Sequence, residues 1–107
     1  MSVRDFAQPI VNVFKALCSE ERRGILIELE FGPLSYTEII ERLKLEKGTF
    51  NYHLKGLIMA GLIRNYLIKD KKKEFTSFYE VSELGLNVIN GLLNAFRPSL
   101  SPKQFSP

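Results

Sequence analysis

Several hydrogen-bonding side chains lie near the middle of the chain, where Asn51, Tyr52 and His53 follow one another. An amide such as that of Asn51 offers a donor beside an acceptor, which matches the edge of an adenine base. Lys47 and Lys55 flank these residues, and lysine contacts phosphate oxygens without regard to base sequence. The segment therefore has the chemistry needed to contact nucleic acid.

Each of these side chains also has a second interpretation. Tyr52 can be an ordinary surface tyrosine, and Asn51 can hold a phosphate rather than a base. His53 lies at the edge of the apolar side of its segment. It is either a structural histidine bonded to the backbone or a donor to a phosphate or a base. Gly56 either lets another backbone approach closely or is simply tolerated, at a cost of about 1 kcal/mol relative to alanine.

Enzymatic chemistry is not expected from this inventory. The only histidine is His53, which has no evident nucleophile beside it, and no paired carboxylates frame a pocket. No glycine-rich phosphate loop is present, so we predict neither an enzyme nor a cofactor. The single cysteine, Cys18, excludes an internal disulfide. We interpret it as a buried structural residue, with a redox role as the alternative.

Charge is unevenly distributed along the chain. The chain as a whole has a formal net charge of +3. Residues 42–73 carry +7, from nine basic and two acidic residues, and the remainder carries −4, from six basic and ten acidic residues. The middle of the chain can therefore attract a polyanion, although a solvated surface is the alternative. No signal peptide or membrane-spanning run is apparent, so a cytoplasmic location is expected.

Two helices are predicted ahead of the polar segment. Apolar residues at helical spacing indicate a helix from about residue 9 to residue 18. Ser19 has the character of an N-cap and begins a helix of about residues 20–30. Gly32-Pro33 is expected to end that helix.

The polar segment itself belongs to the second helix of a predicted helix-turn-helix. Ser35 and Glu38 form a capping box, in which each side chain accepts a hydrogen bond from the backbone of the other. This box begins a short helix that ends near Lys44. The next helix is predicted over about residues 47–60. Its core face is expected to hold Phe50, Leu54, Leu57 and Ile58.

The rest of the chain predicts a β-hairpin followed by a last helix. Strands are expected over residues 62–68 and 75–81, joined by a charged turn at 69–74. Ser82 caps a helix that ends at about Phe96. The wide apolar stripe of that helix suggests a partner subunit.

These elements predict one domain of mainly α structure with a small β-hairpin, an α+β fold. Residues 1–9 are expected to form an N-terminal arm. Residues 10–96 are expected to form the domain. Residues 97–107 are rich in proline and serine and are expected to form a mobile tail.

The order of elements resembles the winged helix-turn-helix domains of ArsR-like transcription regulators, including many archaeal members. The resemblance covers about residues 12–95. Its most specific part looks like the family's recognition helix and its entry into the wing, and it reads Gly-Thr-Phe-Asn-Tyr-His-Leu-Lys-Gly-Leu-Ile-Met-Ala-Gly-Leu-Ile (48–63). Tyr-Glu-Val-Ser-Glu-Leu-Gly (79–85) is similar to the family's exit from the wing.

The resemblance implies a homodimer that binds double-stranded DNA, with the terminal helices of residues 10–96 at the dimer interface and a recognition helix in each major groove. It implies a wing that contacts the DNA backbone or the minor groove. The expected DNA-binding residues are Lys47, Gly48, Thr49, Asn51, Tyr52, His53, Lys55, Lys71, Lys72 and Lys73.

The sequence differs from the metal-sensing members of the family that it resembles. Those members bind metals through cysteines on the first helix of the pair or through ligands on the last helix. Residues 35–44 contain neither cysteine nor histidine, and residues 82–96 contain only Glu83 as a carboxylate. We therefore expect no metal site. The leading hypothesis is a dimeric, sequence-specific DNA-binding regulator, and the alternative is a winged-helix protein-interaction module that binds no DNA.

Overall fold

The computed structural model of the protein describes residues 7–97. Five helices and three short strands follow one another along these residues. They are α1 (Gln8–Leu17), α2 (Glu20–Glu28), β1 (Leu34–Ser35), α3 (Tyr36–Leu43), α4 (Lys47–Met59), β2 (Ile63–Lys69), β3 (Phe75–Val81) and α5 (Glu83–Phe96). No helix within the described range combines the length and the apolar character needed to cross a membrane.

The helices begin where capping residues place them. The Ser19 hydroxyl accepts a hydrogen bond from the backbone N–H of Arg22 at 3.2 Å and so fixes the start of α2. The predicted capping box of α3 is confirmed, since Ser35 and Glu38 each accept from the other's N–H, at 3.2 and 3.1 Å. Ser82 begins α5 in the same way by accepting from Gly85.

The predicted hairpin forms part of a three-stranded antiparallel sheet with the order β1-β3-β2. Strands β2 and β3 pair from Ile63 opposite Val81 to Lys69 opposite Phe75. Strand β1 adds the pair of Leu34 with Tyr79 and was not predicted. A strand of two residues is too short to show an alternating pattern, so the sequence carries no signal for it. The predicted winged helix-turn-helix fold is otherwise confirmed.

The core is formed mainly by the helices and closed by the sheet. Its fully buried side chains include Ile25, Ile39, Phe50, Leu57 and Leu62. Ile58 was predicted to join them, but it is 39% exposed. At 100° per residue it lies about 80° around the helix from Phe50, which takes it off the core face.

Two predictions about the region of the first helix differ from the structure, namely the burial of Cys18 and the extent of the N-terminal arm. Cys18 was predicted to be buried, but it is exposed at the end of α1, where it follows the last helical residue. Helix α1 begins at Gln8, so the last two residues of the predicted arm are helical. The rest of that arm, residues 1–6, and the tail from residue 98 onward lie outside the described residues.

Candidate nucleic-acid interface

Helix α4 is fixed at its start by a carboxylate. The Glu46 carboxylate accepts hydrogen bonds from the backbone N–H groups of Gly48 and Thr49 at 2.9 and 3.0 Å. It also accepts from the Thr49 hydroxyl at 3.0 Å. These bonds lower the pKa of Glu46 and keep it charged. Because Glu46 occupies these N–H groups, they are not free to bind a phosphate.

One side of α4 is anchored in the core. Phe50, Leu54 and Leu57 are buried, and they recur at positions i, i+4 and i+7. The Phe50 ring packs against the ring of Tyr36 with 4.9 Å between centroids. This anchoring fixes the rotation of α4 about its axis and therefore determines which side chains face solvent.

The opposite side of α4 presents most of the residues predicted from the sequence. The side chain of Tyr52 is 67% exposed, and Lys47, Gly48, Asn51 and Lys55 are also exposed. Thr49 is half-buried, with its hydroxyl bonded to Glu46. Six of the seven residues predicted on this helix therefore lie on its outer side or at its first turn.

Asn51 is held by a residue that the sequence analysis missed. Its Oδ1 accepts a hydrogen bond from the Tyr36 hydroxyl at 2.6 Å. The amide nitrogen of Asn51 makes no hydrogen bond within the described residues, so it remains available as a donor. Tyr36 begins α3, and its position directly after the capping residue Ser35 was the only signal in the sequence.

His53 is turned inward toward α2, unlike its neighbours. Its side chain is 13% exposed. Nδ1 accepts a hydrogen bond from Nε of Arg22 at 3.2 Å, and Nε2 lies 4.0 Å from a Glu21 carboxylate oxygen. Of the two interpretations of this residue, the geometry favours the structural one, with side chains rather than the backbone as its partners.

The hairpin tip is shaped by one aspartate. The Asp70 carboxylate accepts from the backbone N–H groups of Lys72 and Glu74 at 2.8 and 3.0 Å. Lys73 adopts a left-handed conformation with φ of 64°, which closes the turn. The side chains of Lys71, Lys72 and Lys73, which are predicted from the sequence to contact DNA, are exposed.

A helix-turn-helix and a basic hairpin in this arrangement also occur in proteins of known structure. A sequence-family model described as a helix-turn-helix domain matches residues 17–65. HlyU from Vibrio cholerae is 28% identical, with a TM-score of 0.67 over 90% of this chain and 98% of that one. The transcriptional regulator HlyU from Vibrio vulnificus is 27% identical, with a TM-score of 0.60 over 80% and 84% of the two chains.

An ArsR family transcriptional regulator shares the fold at 20% identity, with a TM-score of 0.66 over 85% of this chain and 94% of that one. The chain has the winged helix-turn-helix fold of these regulators. Its relatives are helix-turn-helix transcription regulators, which implies DNA-binding regulation. No curated protein matches the sequence. The expected likeness to archaeal members has no support, since the two HlyU structures come from Vibrio species.

In this ArsR-like fold, α3 and α4 form the helix-turn-helix, α4 is the recognition helix, and β2, β3 and their turn form the wing. Within the described part of the chain, no three histidine, cysteine, aspartate or glutamate side chains are grouped in a way that could hold a metal ion. Three residues that shape the recognition helix were not singled out from the sequence, namely Arg22, Tyr36 and Glu46.

Proposed function

We propose that the protein is a sequence-specific regulator that binds double-stranded DNA as a homodimer. The observation that carries the proposal is the outer side of the recognition helix, where Asn51 and Tyr52 are exposed, Asn51 is bonded to the Tyr36 hydroxyl and the Tyr52 ring contacts the Arg22 guanidinium. Side chains held in one geometry lose little conformational entropy on binding, and they discriminate between base edges through hydrogen bonds. No catalytic step is assigned to the chain.

In this proposal the recognition helix enters the major groove and reads bases with Asn51 and Tyr52. Lys47 and Lys55 contact phosphates beside them. The wing lysines Lys71, Lys72 and Lys73 contact the DNA backbone or the minor groove, and they add affinity that does not depend on base sequence. In this proposal His53 contacts Arg22 inside the protein and does not contact DNA, because its ring is bonded to Arg22 rather than exposed.

The homodimer is supported by apolar side chains left open at one end of the fold. A groove between α1 and α5 is lined almost entirely by apolar residues. Ile10, Phe14 and Leu84 are 38%, 46% and 48% exposed there. Covering this surface with the same surface of a second copy would remove apolar area from water on both subunits. The two recognition helices would then lie about 34 Å apart and read a pseudo-palindrome.

Selection of bound fragments from random double-stranded DNA tests the sequence specificity. Size-exclusion chromatography with light scattering measures the mass of the protein and tests the dimer. The expected result is an enriched pseudo-palindromic sequence and a mass of twice 12.3 kDa. Recovery of unenriched fragments would contradict sequence specificity, and a monomer would contradict the dimer. Failure to bind any duplex at micromolar protein would favour the protein-interaction alternative.

A further inference from the structure

A basic concavity lies between α1 and the recognition helix. Lys15 on α1, Arg22 on α2 and Lys55 on α4 all line it, together with Tyr52. None of the residues that line it is acidic. Lys15 and Arg22 come from the part of the sequence whose overall balance is acidic, so charge counting along the chain gave no indication of this surface.

Arg22 reaches the recognition helix through a gap that Gly56 leaves. A Cβ atom at position 56 would lie 2.6 Å from the guanidinium carbon of Arg22. The guanidinium therefore rests directly against the helix backbone, in space that any larger residue would fill. This contact accounts for the glycine inside the helix, since a neighbouring side chain occupies the space.

The same guanidinium touches two further residues of the recognition helix. Its Nε donates to Nδ1 of His53 at 3.2 Å, and its central carbon lies 5.4 Å from the centroid of the Tyr52 ring. That distance is within the range of a cation–π contact. Within residues 7–97 neither Nη1 nor Nη2 donates a hydrogen bond, so both remain available beside the concavity.

We propose that this concavity binds a phosphodiester of the DNA backbone beside the recognition helix, with Lys15, Arg22 and Lys55 as its cations. The proposal rests on the DNA binding proposed above and extends it to a surface outside the recognition helix and the wing. A planar guanidinium pairs with two phosphate oxygens at once, and two lysines beside it add point charges. Because Arg22 also contacts Tyr52, the phosphate contact and the orientation of a base-reading residue are linked.

Gly56→Ala tests the arrangement without removing a charge. The methyl group would displace the Arg22 guanidinium, while alanine favours a helix more than glycine does. We expect the melting temperature to stay unchanged or to rise. Binding to a random-sequence duplex should become roughly tenfold weaker. The slope of log affinity against log salt concentration should fall by about one released ion per protomer. Gly24→Ala in α2 is the matched control, because a Cβ there meets only a Leu43 methyl at an ordinary 3.6 Å.

Lys15→Ala tests the same site from the opposite wall, at an exposed position where folding is not at risk. We expect a similar loss of salt dependence, about one ion per protomer. Arg42→Ala removes an equal charge that is already paired with Glu28 at 3.5 Å, and it should leave binding unchanged.

The two proposals fail in different ways. If the wild-type protein binds duplex DNA but Gly56→Ala and Lys15→Ala retain its affinity and salt dependence, the phosphate site is wrong and the DNA-binding function stands. If the wild-type protein binds no duplex, both are wrong.

Discussion

The recognition helix and the wing tip carry their polar side chains in opposite ways. On the helix, Asn51 is bonded to Tyr36, and His53 is bonded to Arg22. At the wing tip, the hydrogen bonds are made by the backbone and by Asp70. Within the described residues, the side chains of Lys71 to Lys73 make no hydrogen bond or ion pair.

This difference indicates different contributions to binding. Side chains with fixed partners present one geometry and are suited to telling one base sequence from another. Exposed lysines without fixed partners contribute charge, which gives affinity that falls with salt and depends little on sequence. We therefore assign sequence preference to the helix and general affinity to the wing.

The largest effect is expected where the recognition helix meets the core. Phe50→Ala should lower the free energy of unfolding by about 3–5 kcal/mol, because it leaves a cavity at a fully buried site. Phe75→Ala in the wing removes the same group from a position that is 62% exposed. It should change stability by no more than about 0.5 kcal/mol. Urea unfolding measures both, and equal losses would contradict the contrast between the two regions.

The wing is tested by charge removal. Replacing Lys71, Lys72 and Lys73 together with alanine should weaken binding to every duplex and reduce the salt slope by about three per protomer. Melting temperature should stay close to that of the wild type, since the three side chains are exposed. Fluorescence anisotropy over a series of salt concentrations gives the slope. An unchanged slope would exclude the wing from contact with DNA.

The bond between Tyr36 and Asn51 allows a finer test. Tyr36→Phe removes the hydroxyl that donates to Asn51 and keeps the ring against Phe50. We expect roughly threefold weaker binding at the selected sequence, because one neutral hydrogen bond is lost, and no change on random DNA. Tyr66→Phe, on β2, is the matched control. If Tyr36→Phe weakens binding to both duplexes equally, the bond does not serve base reading.

The smallest effect concerns the carboxylate that begins the recognition helix. Hydrogen bonds from Gly48 and Thr49 lower the pKa of Glu46 in the folded protein. Its contribution to stability is therefore present above the pKa of the unfolded chain and is lost as pH falls through the lower pKa of the folded protein. Glu46→Ala should lower the melting temperature at pH 7, and the difference should shrink in acid. Glu41→Ala removes another exposed glutamate as a control, and a difference independent of pH would contradict this role.

The sequence predicted what depends on local patterns. The capping box at Ser35 was predicted correctly, and so was the core side of the recognition helix apart from Ile58, because both patterns involve residues three to seven positions apart. The partners of the polar residues were not predicted. Arg22 and His53 are 31 positions apart, and only packing of α2 against α4 brings them together.

Gly56 was the one sign of that packing available from the sequence. A glycine inside a helix either lets another group approach the backbone or is simply tolerated, and the sequence left both interpretations open. The sequence could not identify the group as a side chain of α2, because a helical pattern does not reveal which neighbour packs on it. Cys18 was predicted incorrectly for a similar reason, since the exposure of a residue at a helix end depends on the direction of the next helix.

The ratio of affinities for the selected duplex and a random duplex tests the central assignment most directly. It is measured at one salt concentration for the wild type, for Tyr52→Ala and for the triple lysine variant. We expect Tyr52→Ala to lower the ratio, by about 1–3 kcal/mol of discrimination, and the triple variant to leave it unchanged. An unchanged ratio for Tyr52→Ala, or a lower ratio for the triple variant, would contradict the division between helix and wing.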